Sequence, residues 1–333
     1  MDQPETRTQM VRLRRSNCEH PGYARRRWGR GFSYRGLRGD ILKDRETLER
    51  IRSLAIPPAW TDVWISPYPN GHIQATGTDA AGRRQYIYHP HWRELKDREK
   101  FDRSLAFAQA LPAARRLITK HLRTEGSGPQ RAYAAALRIV DAGALRIGGE
   151  RYAEVNGSYG TTTLRVEHVK VQGNEVRFDF PGKSGQEWHT VIEDPDLVAA
   201  LEPMLARPDP DTALAYQGAD GQWHSIAGSS LNAFLKEVTG GDFTAKDFRT
   251  WQATVVAAMH LARAHPLATT KKDRQKAVTA TARKVADHLG NTPSVARKSY
   301  IDPRVVDRFL DGEVIDAAGF SASETAVRLM LTS

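Results

Sequence analysis

Cysteine is nearly absent from this chain of 333 residues: Cys18 stands alone. A lone thiol excludes a disulfide framework and any zinc site built on cysteines, and it fits a reducing compartment. No run of about 18 apolar residues occurs, so no segment reads as a membrane span. The N-terminus lacks the apolar stretch of a secretory signal. Internal repeats and long low-complexity tracts are missing as well. What remains suits a soluble globular protein of two or three domains, with 40% hydrophobic and 26% charged residues. Acids are also outnumbered, 39 against 49 Lys and Arg, which leaves a net charge of +10. An acidic polymer is then the first partner to consider, although a positive surface also serves plain solubility.

The positive charge is concentrated. From Arg7 to Arg38 there are ten arginines against the single acid Glu19, with Trp28, Phe32 and Tyr34 among them. Lys271 to Lys298 is a second basic block whose only acids are Asp273 and Asp287. A charge run is usually a solvated face or an arm. Arginine mixed with glycine and aromatics also suits a phosphate backbone, and nucleic acid is the favoured reading.

The pattern along the chain implies an α+β protein. Residues 1–24 read as a flexible basic arm. Residues 25–92 read as a small antiparallel β-rich domain, with strands around Val63–Ile65, His72–Thr76 and Gln85–Tyr88 set between turn residues, and a short helix near Arg45–Leu54. Residues 93–333 read as a larger, mainly helical domain. Helices are expected over Phe101–Leu122, with a break at Pro112, and over Arg131–Leu145, ending at Gly148-Gly149. Between Thr161 and Ile192 the period changes to two. Leu164 and Val166, then Val176, Phe178 and Phe180, then Trp188, Thr190 and Ile192 predict a three-stranded meander. Further helices are expected at Ser229–Val238, Thr244–Ala264 and Asp273–Leu289.

Several segments carry chemistry. Gly290-Asn291-Thr292-Pro293-Ser294 leads through a basic, Pro-initiated helical segment to Tyr300. A tyrosine beside cations is equipped to form a covalent phosphate ester, because the cations ease the phenolate and neutralise charge on the phosphorus oxygens. Arg146 ends a helix next to glycines that admit a ligand. Lys183 sits at the tip of a hairpin turn. Thr244 and Asp247 are spaced as a capping box, and Lys246 and Arg249 share one face near the positive end of that helix. Two cations there oppose the dipole unless an anion joins them. Each feature alone is more often packing, capping or solvated charge.

Taken together and in order, they resemble the type IB DNA topoisomerases, the poxvirus-like bacterial branch in particular. The matching segments are Leu145 to Glu150, Leu164 to His168, Gly182-Lys183, Lys246 to Thr250, Gly290 to Ser294, and Tyr300. Arg83, Arg84, Gln85, Tyr86 and Tyr88 resemble the segment that reads the DNA major groove. The resemblance covers roughly residues 25–320. It implies the fold shared by tyrosine recombinases and type IB topoisomerases, and a cytoplasmic, nucleoid-associated monomer that clamps duplex DNA. It implies that Tyr300 becomes linked to a 3′-phosphate, with Arg146 and Arg249 on the non-bridging oxygens. Lys183 would be the general acid, with Lys246 assisting it. Religation reverses the step, relaxing supercoils of either sign without ATP or metal.

Two positions depart from the family pattern. Asn291 stands where histidine is usual, and as an amide it donates a hydrogen bond but carries neither charge nor proton. Ser184 follows the hairpin lysine where an acid is common. A tyrosine recombinase shares the Arg, Lys and Tyr logic, but typically has His where this chain has Lys246, and its arm domain is usually helical. A non-enzymatic basic DNA-binding protein, with Tyr300 in its core, is the other reading.

Overall fold

The computed structural model describes residues 12–208, 210–316 and 319–333. The chain divides into two compact units, Met1–Glu99 and Lys100–Ser333. The division falls inside a helix.

In the first unit the strands β1 (Tyr23–Trp28), β2 (Gly31–Arg35), β3 (Thr61–Ile65), β4 (Ile73–Thr78) and β5 (Arg84–Tyr88) form one antiparallel sheet in the order β2-β1-β3-β4-β5. Helix α1 (Arg45–Ser53) starts where the Asp44 carboxylate accepts the Thr47 N–H at 2.8 Å. It brings Ile51 against Val63, Ile65 and Ala75 to make the core. The sequence reading named three strands and missed the β1–β2 hairpin. Its arginines masked a tight turn in which Gly29, at φ 55°, supplies the left-handed residue. Part of the expected basic arm is also fastened. The Arg14 N–H donates to the Asn70 carbonyl at 2.8 Å, and the Arg14 carbonyl accepts from His72 N–H at 2.9 Å. The Ser16 hydroxyl donates to the Ile73 carbonyl at 2.9 Å. The rest of that expectation, residues 1–11, lies outside the described residues.

The second unit is mainly helical. Helix α2 (Pro90–Leu122) enters it and runs through Pro112 without the expected break. Proline costs that helix one hydrogen bond, but Ala108, Leu111 and Ala114 around it are buried in the core and hold the turn. Then come α3 (Pro129–Gly143), α4 (Glu150–Asn156), α5 (Pro195–Leu205), α6 (Gly228–Thr239), α7 (Ala245–Ala264), α8 (Lys271–Leu289), α9 (Pro293–Ser299), α10 (Pro303–Leu310) and α11 (Phe320–Thr332). The meander is present as β6 (Val169–Gln172), β7 (Glu175–Pro181) and β8 (Glu187–Glu193). Its first strand begins after Leu164–Val166, contrary to the pattern reading. Thr161–Thr163 and Val166–His168 are single 3-10 turns, a local geometry that mimics alternation over so few residues. A short ribbon, β9 (Ala215–Gln217) and β10 (Trp223–Ser225), was not anticipated.

Helix α7 passes through the centre of this unit. Phe248, Trp251 and Val255 are fully buried on it beside Phe107 and Leu137, and burying each of the larger side chains contributes about 2–3 kcal/mol. Helix α11 is locked on by Glu324, which accepts from Arg115 at 2.6 Å and from the Trp251 indole N–H at 2.9 Å.

Candidate active site

Helix α3 stops earlier than its glycines suggested. Ala144 takes the left-handed conformation, φ 53°, and turns the chain into an extended stretch. Only a well-packed setting holds a non-glycine residue there, at a cost of about 1–2 kcal/mol. The stretch is pinned from outside: Thr161 N–H donates to the Arg146 carbonyl at 2.8 Å and Thr162 N–H to the Ile147 carbonyl at 2.7 Å. Gly160 must be glycine, since a Cβ on it would lie 2.5 Å from the Gly148 nitrogen. Held this way, Arg146 reaches across to donate to the Gly290 carbonyl at 2.9 Å and to Asn291 Oδ1 at 2.7 Å. Burial pushes its pKa below the ordinary arginine value.

Arg249 projects inward from α7 and is 3% exposed. Its guanidinium donates to the Ala144 carbonyl and, at 2.6 Å, to the Leu289 carbonyl. The left-handed turn at Ala144 and the end of α8 are thus joined through one side chain. Its Nε–H has no partner among the described residues. Burial first, and then repulsion from Arg146, pull its pKa down to about 10, with Tyr300 opposing the fall. The guanidinium carbon lies 5.8 Å from the centre of the Tyr300 ring. Neither arginine is paired with a carboxylate among the described residues.

Tyr300 closes α9, whose start is capped by the Thr292 hydroxyl. The chain beyond it is tied down at once. Thr254 Oγ1 lies 3.4 Å from the Tyr300 carbonyl and accepts the Asp302 N–H at 3.2 Å. Asp302 is 2% exposed, caps α10, and holds Arg304 at 2.7 Å, which reaches on to Asp102 at 3.0 Å. Upstream, Gly290 lies at φ 55°, and a Cβ there would come 2.4 Å from the Trp188 ring. Gly290→Ala therefore meets backbone strain and a collision together. It is expected to lower stability by about 1–2 kcal/mol in urea denaturation. Asn291 Nδ2, like Arg249 Nε, is a buried donor without a partner among the described residues.

A cleft of about 330 Å³ opens between Arg146, Arg249, Tyr300, Lys246, Thr244 and Asn232. The sequence candidates Arg146, Arg249, Lys246 and Tyr300 therefore share one lining, with Asn291 hydrogen-bonded to Arg146. The Asp247 carboxylate accepts the Thr244 N–H at 2.7 Å, as the capping-box spacing predicts, and is held by Arg103 at 2.9 Å. Lys246 beside it is exposed. Lys183 is not brought in. It is exposed at the 3-10 tip of the β7–β8 hairpin and does not line the cleft. The Ser184 side chain lies outside what the structure describes. The base of this hairpin does approach the site, through Trp188 against Gly290.

Several supports escaped the sequence reading, namely Thr161, Thr162, Trp188, Thr254 and Asp302. Only the Thr-Thr-Thr run and the Asp-Pro pair after Tyr300 carried any signal. Of the groove-reading candidates, Arg84, Tyr86 and Tyr88 alternate outward along the edge strand β5. The two tyrosine rings stack 6.0 Å apart. Gln85 points to the other side, where its amide donates to Asp79 at 2.9 Å. Arg83 also pairs with Asp79 at 2.9 Å. Hydrogen bonds, first from the Arg83 backbone, hold that carboxylate down at about 2.

Residues 89–311 match the family model for the eukaryotic DNA topoisomerase I catalytic core, and residues 31–79 that for the bacterial DNA topoisomerase IB N-terminal domain. DNA topoisomerase 1B of Acanthamoeba polyphaga mimivirus is 31% identical over 286 residues, spanning 84% of this chain and 85% of that protein. DNA topoisomerase 1B of Vaccinia virus (strain Copenhagen) is 20% identical over 86% of this chain and 90% of its own length. DNA topoisomerase 1 alpha of Arabidopsis thaliana is 29% identical, but over 48% of this chain and only 17% of the plant protein. The recombinase and the non-enzymatic binder, both open on the sequence, give way here: with a core model over two thirds of its length and a viral relative across most of it, the chain belongs to the type IB DNA topoisomerases.

Proposed function

We propose that this enzyme relaxes supercoils of either sign through a transient 3′-phosphotyrosyl bond. The Tyr300 oxygen attacks a backbone phosphorus, and the bond from that phosphorus to the 5′-oxygen of the next nucleotide breaks. The phenol gives its proton to solvent water as the new bond forms, and the leaving 5′-oxygen gains one from Lys183. The broken strand rotates about the intact one. The freed 5′-hydroxyl then attacks the phosphotyrosine, and the steps run in reverse. Bond energy is kept in the phosphotyrosine, so neither ATP nor a metal ion takes part.

One observation carries this reading: two guanidiniums are sunk beside Tyr300 with no carboxylate on either among the described residues. Burying an unpaired charge costs several kcal/mol, and a phosphodiester in the cleft supplies the missing anion. Arg146 and Arg249 take its non-bridging oxygens, where charge grows in the transition state. The unpartnered donors Arg249 Nε and Asn291 Nδ2 add N–H groups of the kind a phosphate accepts. Lys246 assists near the leaving group. Lys183 reaches that oxygen from its hairpin once DNA fills the cleft. The enzyme acts as a monomer in the cytoplasm, its two units closing on duplex DNA as a clamp. Arg83, Arg84, Gln85, Tyr86 and Tyr88 serve at the major groove.

Trapping tests the reading directly. Supercoiled plasmid quenched with SDS should yield relaxed topoisomers and protein joined to a 3′ end, leaving the 5′ end open to a kinase. Attachment at the 5′ end, or no adduct, would refute it. Lys183→Ala should slow cleavage by about 10²–10⁴, the usual worth of a general acid. With a p-nitrophenyl leaving group, which departs without a proton, most of that defect should disappear. An equal defect on both substrates would remove Lys183 from the acid role.

A further inference from the structure

Strand register places Arg35 and Tyr86 at opposite ends of one row across the first unit's sheet. Arg35 pairs with Ala24, Ala24 with Trp64, Trp64 with Thr76, and Thr76 with Tyr86. Directly opposed residues share a face, so Arg35 and Tyr86 lie on the same side of the sheet, away from the Ile51–Val63–Ile65 core. Alternation along β1 adds Arg26 and Trp28 to that side. The segment 17–22 crosses the middle of the row, where the His20 carbonyl accepts the Trp64 indole N–H at 2.9 Å. Among the described residues, Tyr86 at one end of the row is 44% exposed and Arg35 at the other is half-buried.

The hairpin end is basic, aromatic and unused. Trp28 is 73% exposed, the most of any aromatic residue among the exposed large hydrophobics. The Arg26 side chain is exposed and, among the described residues, has no ion-pair or hydrogen-bond partner, while the Arg35 side chain makes one long bond there, 3.5 Å, to the Gly39 carbonyl. Arg25 differs, since it faces the core side and is spent on the Ile56, Pro57 and Trp60 carbonyls. Ala24, Gly31 and Ser33 lie between the outward groups and leave the surface low. From Asn17 to Arg38 the only acid is Glu19. Four strand spacings separate the ends of the row, about 19 Å, whereas the major groove is about 12 Å wide. A duplex whose groove receives Tyr86 and Tyr88 thus has a flanking phosphate backbone within reach of β1 and β2.

We infer that the outward face of the β1–β2 hairpin, through Arg26, Arg35 and Trp28, is a second contact with duplex DNA, made to the phosphate backbone flanking the groove that β5 enters. The inference rests on the proposed role of β5 and concerns residues outside the cleavage chemistry. The arginines neutralise phosphates, and the indole covers the sugar edge between them.

Affinity for a 30-base-pair duplex, followed by fluorescence anisotropy across a salt series, tests it. Losing two phosphate contacts in Arg26→Ala/Arg35→Ala should flatten the slope of log K against log salt by about 1.8. Trp28→Ala should weaken binding about fivefold at every salt concentration with its slope unchanged. Arg52→Ala, on α1 across the sheet, removes a charge of the same sign and should leave the slope as it was. Matching thermal melting curves confirm that the variants fold. A double variant with the wild-type slope would overturn the inference, and so would an equal loss in Arg52→Ala, which would make the effect one of net charge. Failure of the wild type to form a trapped adduct on the same duplex would instead count against the phosphotyrosyl reading and leave the slope comparison intact.

Discussion

Tyr300→Phe is expected to bind DNA and fold as the wild type does, yet relax no supercoils and form no covalent adduct. The substitution removes one oxygen from a half-buried ring and keeps the ring contacts with Arg249 and the neighbouring core. The ties that fix its backbone run through the Tyr300 carbonyl, Thr254 and Asp302, none of which is touched. The proposed nucleophile, by contrast, is a single atom with no stand-in among the cleft's other lining groups, which are cationic, amide or aliphatic apart from the Thr244 hydroxyl at the α7 cap. Loss of a supporting donor costs about 10²–10³ in rate, whereas loss of the attacking oxygen removes the reaction. Wild-type relaxation should persist in EDTA with no ATP added. Relaxation by Tyr300→Phe, or an absolute requirement for magnesium or ATP, would end the proposed mechanism.

How far these roles were legible in the sequence depended on how local their causes are. Tyr300, Arg249 and Lys246 sit in segments whose own chemistry marks them: a Pro-initiated helix, a capping box, a glycine at the end of α8. The α+β class followed in the same way from turn residues and from the change of period near Thr161. What was missed depends on partners far along the chain. No local signal tells that Thr161 and Thr162 pin Arg146, or that Gly290 must be small because Trp188, about a hundred positions earlier, lies against it. Pro112 misled for the same reason, since the packing that carries a helix through a proline is tertiary. The β1–β2 hairpin was obscured because strong charge dominated a stretch whose strand register is set by its neighbours in the sheet.

Arg146 and Arg249 should behave as one unit, and this is the sharper quantitative test. Arg249→Ala removes a proposed transition-state donor and also frees the Ala144 and Leu289 carbonyls it holds. A rate loss of about 10²–10³ is expected. Arg249→Lys should fare little better, because a point charge does not replace a planar fork that spans two carbonyls and still offers Nε–H. Arg146→Ala should cost a similar factor, since it strips the Gly290 carbonyl and Asn291 Oδ1 of their donor. The two losses should not multiply. Repulsion from Arg146 is one cause of the depressed Arg249 pKa, so deleting Arg146 makes the remaining guanidinium easier to keep charged. Deleting either also loosens the shared seam between the turn at Ala144 and the end of α8. Groups that stabilise one transition state jointly show this non-additivity. Single-turnover cleavage at saturating protein should therefore find the double variant well short of the product of the single defects. A double variant that reaches the full product would mean that the arginines act independently, and the paired grip on one phosphodiester would have to be given up.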